Sequence, residues 1–195
     1  MAQAKQNLTG DGIVIIKLKY FIDDWNSDCY ILWEFIEQLN FKHNRRRHHL
    51  NSQKGKTYSL LYGLTPYKAY KKNEDRVKDP NSNYYFTNCR SEFPELQGIF
   101  EEFSVLHFPK TFKWNSIMIN KNLKCKAHKD KRNIGESLLM GLGDYSKGEL
   151  KIEGKINKTW HNKLIFNGSK LLHETMEWAG DRYTLIFFTN PFFKK

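Results

Sequence analysis

Hydrophobic residues near the N-terminus follow two different patterns. Residues 12–22 form a run rich in β-branched and aromatic side chains, which predicts a strand that opens the fold. Asp24 is placed to cap a following helix, whose apolar side chains fall largely on one side and which ends near Asn40. Pro94 lies in the first turn of a second predicted helix, which runs to about Phe103.

From Trp114 onward the pattern changes to short apolar segments bounded by Gly, Asn or Asp. These segments are Ser116–Ile119, Ser137–Leu142, Glu149–Ile152, Lys163–Phe166, Lys170–His173 and Tyr183–Thr189. Regular short strands separated by turns predict a sandwich or barrel, and the lack of helices between them disfavours a parallel sheet. The polar segment Tyr67–Asn88 predicts a long exposed loop. We therefore expect a mainly β fold with N-terminal helices, in which two helices buttress a jelly roll.

The 195 residues contain no internal repeat and no linker rich in Gly, Pro or Ser. A chain of this length can bury an independent core, so we expect a single domain over 1–195. Within it, residues 1–110 form an N-terminal helical and strand extension with substrate-facing loops. Residues 111–195 form the β core that carries the chemistry.

Composition and charge narrow the function classes. Hydrophobic residues make up 39% of the chain and aromatic residues 15%, which excludes collagen, coiled coil and general disorder. The 32 Lys and Arg against 21 Asp and Glu leave a net charge of +11. This excess favours polyanions as partners, with nucleic acid first. No signal peptide, membrane span or obligate protein partner is evident.

Cysteine usage indicates the compartment. The three cysteines, Cys29, Cys89 and Cys125, are widely spaced and form no CxxC pair. Neither a disulfide framework nor a zinc finger is indicated, which favours a reducing intracellular compartment, either nuclear or in a viral host's cytoplasm.

The chemical signal begins at His128 and Asp130, inside the β region. Residues two apart on an extended chain point to the same face, so this imidazole and this carboxylate can converge on one point. By itself the pair is weak evidence for a functional site, because such a pair is more often a surface histidine beside a surface aspartate in a lysine-rich turn. His173 supplies a second imidazole, and His161 is its rival for that position.

Two histidines and one carboxylate form the facial triad of non-haem Fe(II) oxygenases. Zinc is the competing metal, but a zinc hydrolase needs a general base near the metal, and none is identifiable. Arg182 follows His173 by nine residues, and its guanidinium projects from the same side of a strand as the Thr184 hydroxyl. A planar guanidinium beside a hydroxyl group is well suited to bind a carboxylate. These residues therefore predict iron and a dicarboxylate cosubstrate held between the metal and Arg182.

Several further motifs accompany these residues in the last part of the chain. They are Asn120–Asp130, Asn133–Ser137, Gly141–Tyr145, Gly148–Leu150, Phe166–Gly168, His173–Thr175 and Arg182–Thr189. In order and spacing this set resembles the TET/JBP-type 2-oxoglutarate and Fe(II) dependent dioxygenases, and most of all their small algal, protist and viral members. The resemblance covers about the last 80 residues, and residues 1–110 show no comparable match.

The resemblance implies a double-stranded β-helix of the cupin type, with iron bound by His128, Asp130 and His173. It implies that Arg182 anchors 2-oxoglutarate with help from Thr184, that O2 is the oxidant, and that ascorbate is a candidate reductant. The family oxidises a methyl group on a DNA pyrimidine, 5-methylcytosine or thymine, to a hydroxymethyl group. DNA is accordingly the expected partner, and a membrane is not.

Other functions on this scaffold stay open. A protein or small-molecule hydroxylase is one, although many prolyl hydroxylases of this fold have lysine where Arg182 stands. An AlkB-like nucleic-acid demethylase is another, although that branch has a second arginine six residues later, where this chain has Phe188. A basic binding module that lacks catalysis is the third.

Basic residues in two places are candidate nucleic-acid contacts. They are the run Arg45, Arg46 and Arg47, and the cluster Lys129, Lys131 and Arg132 beside the HxD motif. A solvated loop explains the arginine run equally well. A positive rim around the metal motif favours an anionic substrate.

Overall fold

The computed structural model describes residues 3–8, 14–53, 56–71 and 74–190, with side chains described from residue 19 onward except those of 45, 46, 48, 70, 71 and 74. The strands are β1 Gln3–Leu8, β2 Val14–Lys19, β3 Tyr58–Thr65, β4 Ala69–Lys71, β5 Glu74–Asp75, β6 Tyr85–Phe86, β7 Ser116–Lys121, β8 Ile134–Leu142, β9 Tyr145–Lys147, β10 Leu150–Ile152, β11 Lys155–Asn157, β12 Leu164–Phe166, β13 His173–Thr175, β14 Trp178–Gly180 and β15 Tyr183–Thr189. The helices are α1 Trp25–Glu37, α2 Asn88–Glu92 and α3 Leu96–His107, with a 3-10 helix at Arg45–Leu50.

The largest element is a six-stranded antiparallel sheet in the order β12-β8-β15-β7-β3-β6. Side chains alternate across it, because successive residues of a strand point to opposite faces. Leu185 and Phe187 of β15 point to the face where Leu32 of α1 and Phe100 of α3 complete the main core. The helices therefore cover one face of this sheet.

The other face of the large sheet packs on a second layer of short strands. This layer contains the sheet β11-β10-β13 and the pair β14-β9. Leu150 and Ile152 of β10 pack with Leu139 and Ile186 of the large sheet in a second apolar cluster. Two antiparallel layers with a shared interior make a jelly roll, so the expected double-stranded β-helix with buttressing helices is confirmed.

The helix predicted after Asp24 is confirmed. The Asp24 carboxylate accepts a hydrogen bond of 2.9 Å from the Ser27 backbone N–H, as an N-cap does. The buried face of α1 includes Leu32 and Ile36, which have the spacing of one helical turn. Among the described residues, no helix combines the length and the apolar character that a bilayer crossing requires.

Several elements differ from their predicted bounds. The strand predicted over 12–22 is β2, and it pairs with β1 rather than opening the fold. The second helix is α3, which begins after Pro94 and is preceded by the short α2. Short strands interrupt the predicted loop Tyr67–Asn88. The sequence pattern did not predict β3, although β3 is an inner strand of the large sheet.

A buried carboxylate ties α1 to α3. Asp28 is fully buried and accepts hydrogen bonds from the backbone N–H groups of Ile22 and Asp23, at 2.8 and 3.0 Å. His107 of α3 donates to the same carboxylate over 2.7 Å. This network holds the two helices together at the end of the large sheet.

Replacing Asp28 with alanine is expected to destabilise the fold by roughly 3 kcal/mol, because it leaves a buried imidazole and two backbone donors without their acceptor. Chemical denaturation monitored by circular dichroism measures this change. Glu34→Ala, on the exposed side of the same helix, is the matched control and should change the free energy of unfolding little. Equal stability of the two variants would contradict the assigned role of the network.

Candidate active site

The structure brings His128, Asp130 and His173 together. One potential ligand atom from each residue lies within 4.8 Å of the others. The Nε2 atoms of His128 and His173 are 3.7 and 3.6 Å from the two oxygens of the Asp130 carboxylate. The HxD pair and the distant His173 thus converge on one point.

Backbone hydrogen bonds explain how this convergence arises. His128 and His173 form a bridge in which each N–H donates to the carbonyl of the other, over 3.0 and 3.1 Å. The N–H of Asp130 donates to the carbonyl of Gly168 over 2.8 Å. The HxD segment is therefore fixed to the turn and strand that lead into His173.

Both imidazoles are oriented by their Nδ1 atoms. His128 Nδ1 lies 2.7 Å from the carbonyl oxygen of Lys126, and His173 Nδ1 lies 3.0 Å from that of Leu171. A carbonyl oxygen can only accept, so each Nδ1 carries the proton. Each Nε2 is then left with a free lone pair when the ring is neutral, which is the tautomer that binds a metal.

Electrostatics favour a neutral imidazole beside a charged carboxylate. Burial lowers the pKa of His128 below its ordinary value. For Asp130, burial raises the pKa, but the two neighbouring histidines outweigh burial and lower the pKa overall. Both ligands are therefore in their metal-binding protonation states near neutral pH.

These donors fit a first-row divalent metal such as Fe(II). Two imidazole nitrogens and one carboxylate oxygen form the set that leaves coordination positions for other ligands. The sulfur donors typical of structural zinc sites are absent from the cluster as the described residues form it.

Arg182 lies in the interior of the jelly roll without an ion-pair partner among the described residues. The residue is 2% exposed, and its Nε and Nη2 atoms form no hydrogen bond with the described part of the chain. The guanidinium carbon lies 5.5 Å from the ring centres of both Tyr145 and Trp178. Burial lowers the pKa of Arg182, which reflects the cost of an unpaired charge in this place. A carboxylate ligand would supply the missing acceptors.

Two glycines make room for the residues around Arg182. Gly148 has a φ of +71°, and a Cβ atom there would come within 2.9 Å of the Arg182 Nε. At Gly141 a Cβ atom would lie 2.0 Å from the Tyr145 hydroxyl. That hydroxyl is 3.1 Å from the Thr159 hydroxyl, which fixes the tyrosine ring beside the guanidinium.

A buried polar row crosses the inner face of the large sheet near Arg182. Thr184 of β15, Asn120 of β7 and Ser59 of β3 are cross-strand neighbours, and each is 4% exposed. Asn120 Nδ2 donates to the Thr184 hydroxyl over 3.2 Å, and the Asn120 Oδ1 has no partner among the residues that the structure describes. Sequence analysis selected Thr184 but missed Asn120 and Ser59. A polar residue at an inward position of β7 was the only signal.

Beyond this row the inner face opens into a cleft of about 550 Å³. Its apolar lining includes Leu61, Met118, Ile186 and Phe188, which lie on alternate positions of the inner strands. Its polar lining residues are Arg47, His49, Tyr67, Asp130, Arg132, Asn133 and Asn190. Asp130 therefore connects the metal-binding cluster to an apolar cleft with a basic margin.

The predicted nucleic-acid contacts fall in different places. Arg47 and Arg132 line the cleft, whereas Lys129 and Lys131, which flank Asp130 in the sequence, are exposed. The side chains of Arg45 and Arg46 lie outside the described residues. The proposed contacts therefore stay predictions, with Arg47 and Arg132 closest to the chemistry.

His161 is not part of the metal cluster. Its ring stacks on Trp160 with a centroid distance of 4.3 Å and meets the edge of Tyr30 at 4.6 Å. Its two nitrogens are buried, and neither has a hydrogen-bond partner in the described ranges of the chain. The structure thus places His173, rather than its rival, beside the HxD motif.

No family model and no curated protein matches this chain. Solved structures do resemble its fold. One is NgTET1 in complex with 5mC DNA, with 15% identity and a TM-score of 0.48, where the match covers 68% of this chain and 60% of the other. Another is a 2OG-Fe(II) oxygenase family oxidoreductase from Burkholderia pseudomallei, with 14% identity, a TM-score of 0.49 and coverage of 80% and 76%. A third is OsALKBH1, with 13% identity, a TM-score of 0.47 and coverage of 88% and 93%. This chain thus spans less than two thirds of the TET chain, and the likeness is one of general architecture.

Proposed function

We propose that this protein is a 2-oxoglutarate and Fe(II) dependent dioxygenase that hydroxylates a methyl group on a nucleic-acid base, 5-methylcytosine or thymine in DNA. The observation that carries the proposal is the cluster of His128, Asp130 and His173, whose Nε2 atoms and carboxylate face one point. In this class, iron with 2-oxoglutarate supplies the O2-dependent conversion of C–H to C–OH with release of succinate and CO2.

The protein's own residues divide the remaining tasks. Arg182 and Thr184 bind and orient the distal carboxylate of 2-oxoglutarate, and burial makes that charge pairing strong. The apolar lining of the cleft excludes water and receives the substrate carbon beside Asp130. Metal-assisted hydrolysis fits less well, because Asp130 is the only carboxylate among the described lining residues and it belongs to the metal cluster.

A basic margin around an apolar cleft supports an aromatic substrate within a polyanion. A methylated base would contact the apolar lining, while Arg47 and Arg132 are placed near its phosphates. A base inside a duplex has to leave the stack to reach the metal. The net charge of +11 favours binding to nucleic acid and makes it dependent on salt.

Product analysis tests this proposal. The full chain with Fe(II), 2-oxoglutarate and ascorbate is expected to convert 5-methylcytosine or thymine in DNA to the hydroxymethyl base, with one succinate released for each oxidised base. Mass spectrometry of digested nucleosides and of succinate measures both products. An oligonucleotide of the same sequence with unmethylated cytosine is the matched control for the 5-methylcytosine substrate.

Other products would replace the proposal with a specific alternative. Formaldehyde released from N-methylated bases would identify a demethylase, and hydroxylation confined to a peptide pool would identify a protein hydroxylase. Metal-independent binding without succinate release from any pool would identify a binding module.

A further inference from the structure

The cleft contains two guanidinium groups that have no carboxylate partner among the described residues. The Nε atom of Arg47 is buried and has no hydrogen-bond partner within the part of the chain that the structure describes. Arg132 is exposed, and its Nη1 donates to the Tyr67 hydroxyl over 2.7 Å. Since Asp130 is the only acid among the described lining residues, the cleft has an excess of positive charge.

The segment that carries Arg47 is attached directly to the metal-binding region. The 3-10 helix Arg45–Leu50 ends where the Leu50 carbonyl accepts a hydrogen bond of 2.9 Å from the N–H of Lys126. Ser52 N–H donates to the Lys124 carbonyl over 2.8 Å. Arg47 and the metal ligand Asp130 line the same cleft, so this segment and the metal-binding cluster share one cavity.

The contact between Arg132 and Tyr67 joins two other segments at the cleft. Arg132 follows the HxD motif, and Tyr67 lies in the loop after β3. Arg76 supports this loop by donating to the carbonyls of Tyr67 and Ala69 over 2.9 and 3.2 Å. Tyr67 is 47% exposed, and its hydroxyl accepts the hydrogen bond from Arg132 at the margin of the cleft.

We propose, building on the proposed function, that Arg47 and Arg132 bind the phosphates on either side of the target nucleotide, and that the cleft takes one nucleotide of an unpaired strand. Arginine is suited to this role because its planar fork binds phosphate with two parallel hydrogen bonds. The base then lies on the apolar surface formed by Leu61, Met118 and Ile186. A cleft of about 550 Å³ is in the range for a single small ligand and excludes a duplex.

Binding to single-stranded DNA tests the pair without any turnover. The full chain is titrated, without 2-oxoglutarate, into a fluorescent single-stranded oligonucleotide that contains one 5-methylcytosine, and anisotropy is followed at several salt concentrations. We expect Arg47→Gln and Arg132→Gln each to weaken binding about tenfold, as expected for loss of a charge-assisted contact. Each change should also reduce the slope of log affinity against log salt by about 0.7.

Matched variants separate this role from general charge and from misfolding. Lys110→Gln removes one positive charge from the exposed turn after α3, on the helix-covered side of the large sheet, and should leave affinity unchanged within about twofold. Arg47→Lys keeps the positive charge but loses the planar guanidinium. It should therefore keep the slope of log affinity against log salt while binding the oligonucleotide more weakly. Thermal unfolding of every variant reports whether the fold is intact.

Three results would overturn the inference. They are an equal loss of affinity in Lys110→Gln, wild-type affinity in both arginine variants, and duplex binding as tight as single-strand binding. An equal effect of the arginine variants on binding of a polyglutamate peptide would assign the pair to acidic proteins instead. If both arginine variants oxidise the base at the wild-type rate, this inference is rejected and the proposed function stands. If the arginine variants selectively lose binding but the wild-type chain oxidises no base, the proposed function is rejected and this inference stands.

Discussion

Asp130→Ala is expected to abolish Fe(II)-dependent turnover and to weaken metal binding more than about 100-fold. Removing a residue that hydrogen-bonds to a metal ligand already costs roughly 10–100-fold in metal affinity, so losing a ligand itself should cost more. Asp130 is also the residue whose two oxygens lie 3.7 and 3.6 Å from the Nε2 atoms of His128 and His173. Without it, two imidazoles face each other with no negative charge to offset the metal.

Two measurements check this result independently of the substrate. Titration with Co(II), followed by its absorption spectrum, measures the affinity, and thermal unfolding with and without metal measures the stabilisation that binding to the folded state confers. Asp144→Ala, at an exposed position between β8 and β9, is the matched control and should bind metal as the wild type does. Metal-dependent stabilisation that persists in Asp130→Ala would reject the assigned ligand set.

Arg182→Met is expected to weaken 2-oxoglutarate binding by about 100-fold or more. Two charge-assisted hydrogen bonds from a buried guanidinium to a carboxylate contribute roughly 3 kcal/mol or more, which corresponds to a factor of this size. Turnover should recover in part at very high 2-oxoglutarate, because the metal ligands are unchanged. Calorimetric titration of the metal-loaded protein with 2-oxoglutarate measures the affinity.

The Arg182→Met substitution is also expected not to destabilise the fold, although it replaces a buried residue. Arg182 is buried, and two of its nitrogens have no partner among the described residues, so without cosubstrate no described group offsets this charge. Methionine fills much of the same volume without that charge, so Arg182→Met should be at least as stable as the wild type. Arg90→Met is the control, since Arg90 lies over the Phe86 ring outside the cleft, and its affinity for 2-oxoglutarate should be normal. Unchanged 2-oxoglutarate affinity in Arg182→Met would exclude it as the anchor.

Local sequence patterns were sufficient where the structure depends on local interactions. The helix α1 was predicted because Asp24 caps it and because its apolar residues repeat at the helical period. By contrast, β3 was missed because it is an inner strand with buried residues on both faces, Tyr62 on one and Ser59 on the other. A strand buried on both faces loses the alternation of polar and apolar residues that identifies strands.

The candidate site shows the same division. The HxD spacing and the interval from His173 to Arg182 are features of the sequence, so the metal ligands and Arg182 could be selected as candidates from the sequence. The chain gives no comparable signal for where Asn120 and Arg47 lie in the fold, although Asn120 begins one of the motifs and Arg47 belongs to the arginine run. Asn120 reaches Thr184 only through strand pairing, and Arg47 reaches the cleft only because its 3-10 helix is bonded to the strand segment before His128.

The amino-acid sequence by itself determined the residue types, their short-range spacing, the caps and the basic charge, because these depend on neighbours within a few positions. Tertiary structure alone decided that the three predicted ligands meet at one point, that Arg182 is buried with nitrogen atoms that have no partner among the described residues, and that a basic margin surrounds an apolar cleft. Those features arise from hydrogen bonds and packing between segments far apart in the chain, such as the bridge between His128 and His173. Such pairings depend on the register of the whole sheet, which no local pattern specifies.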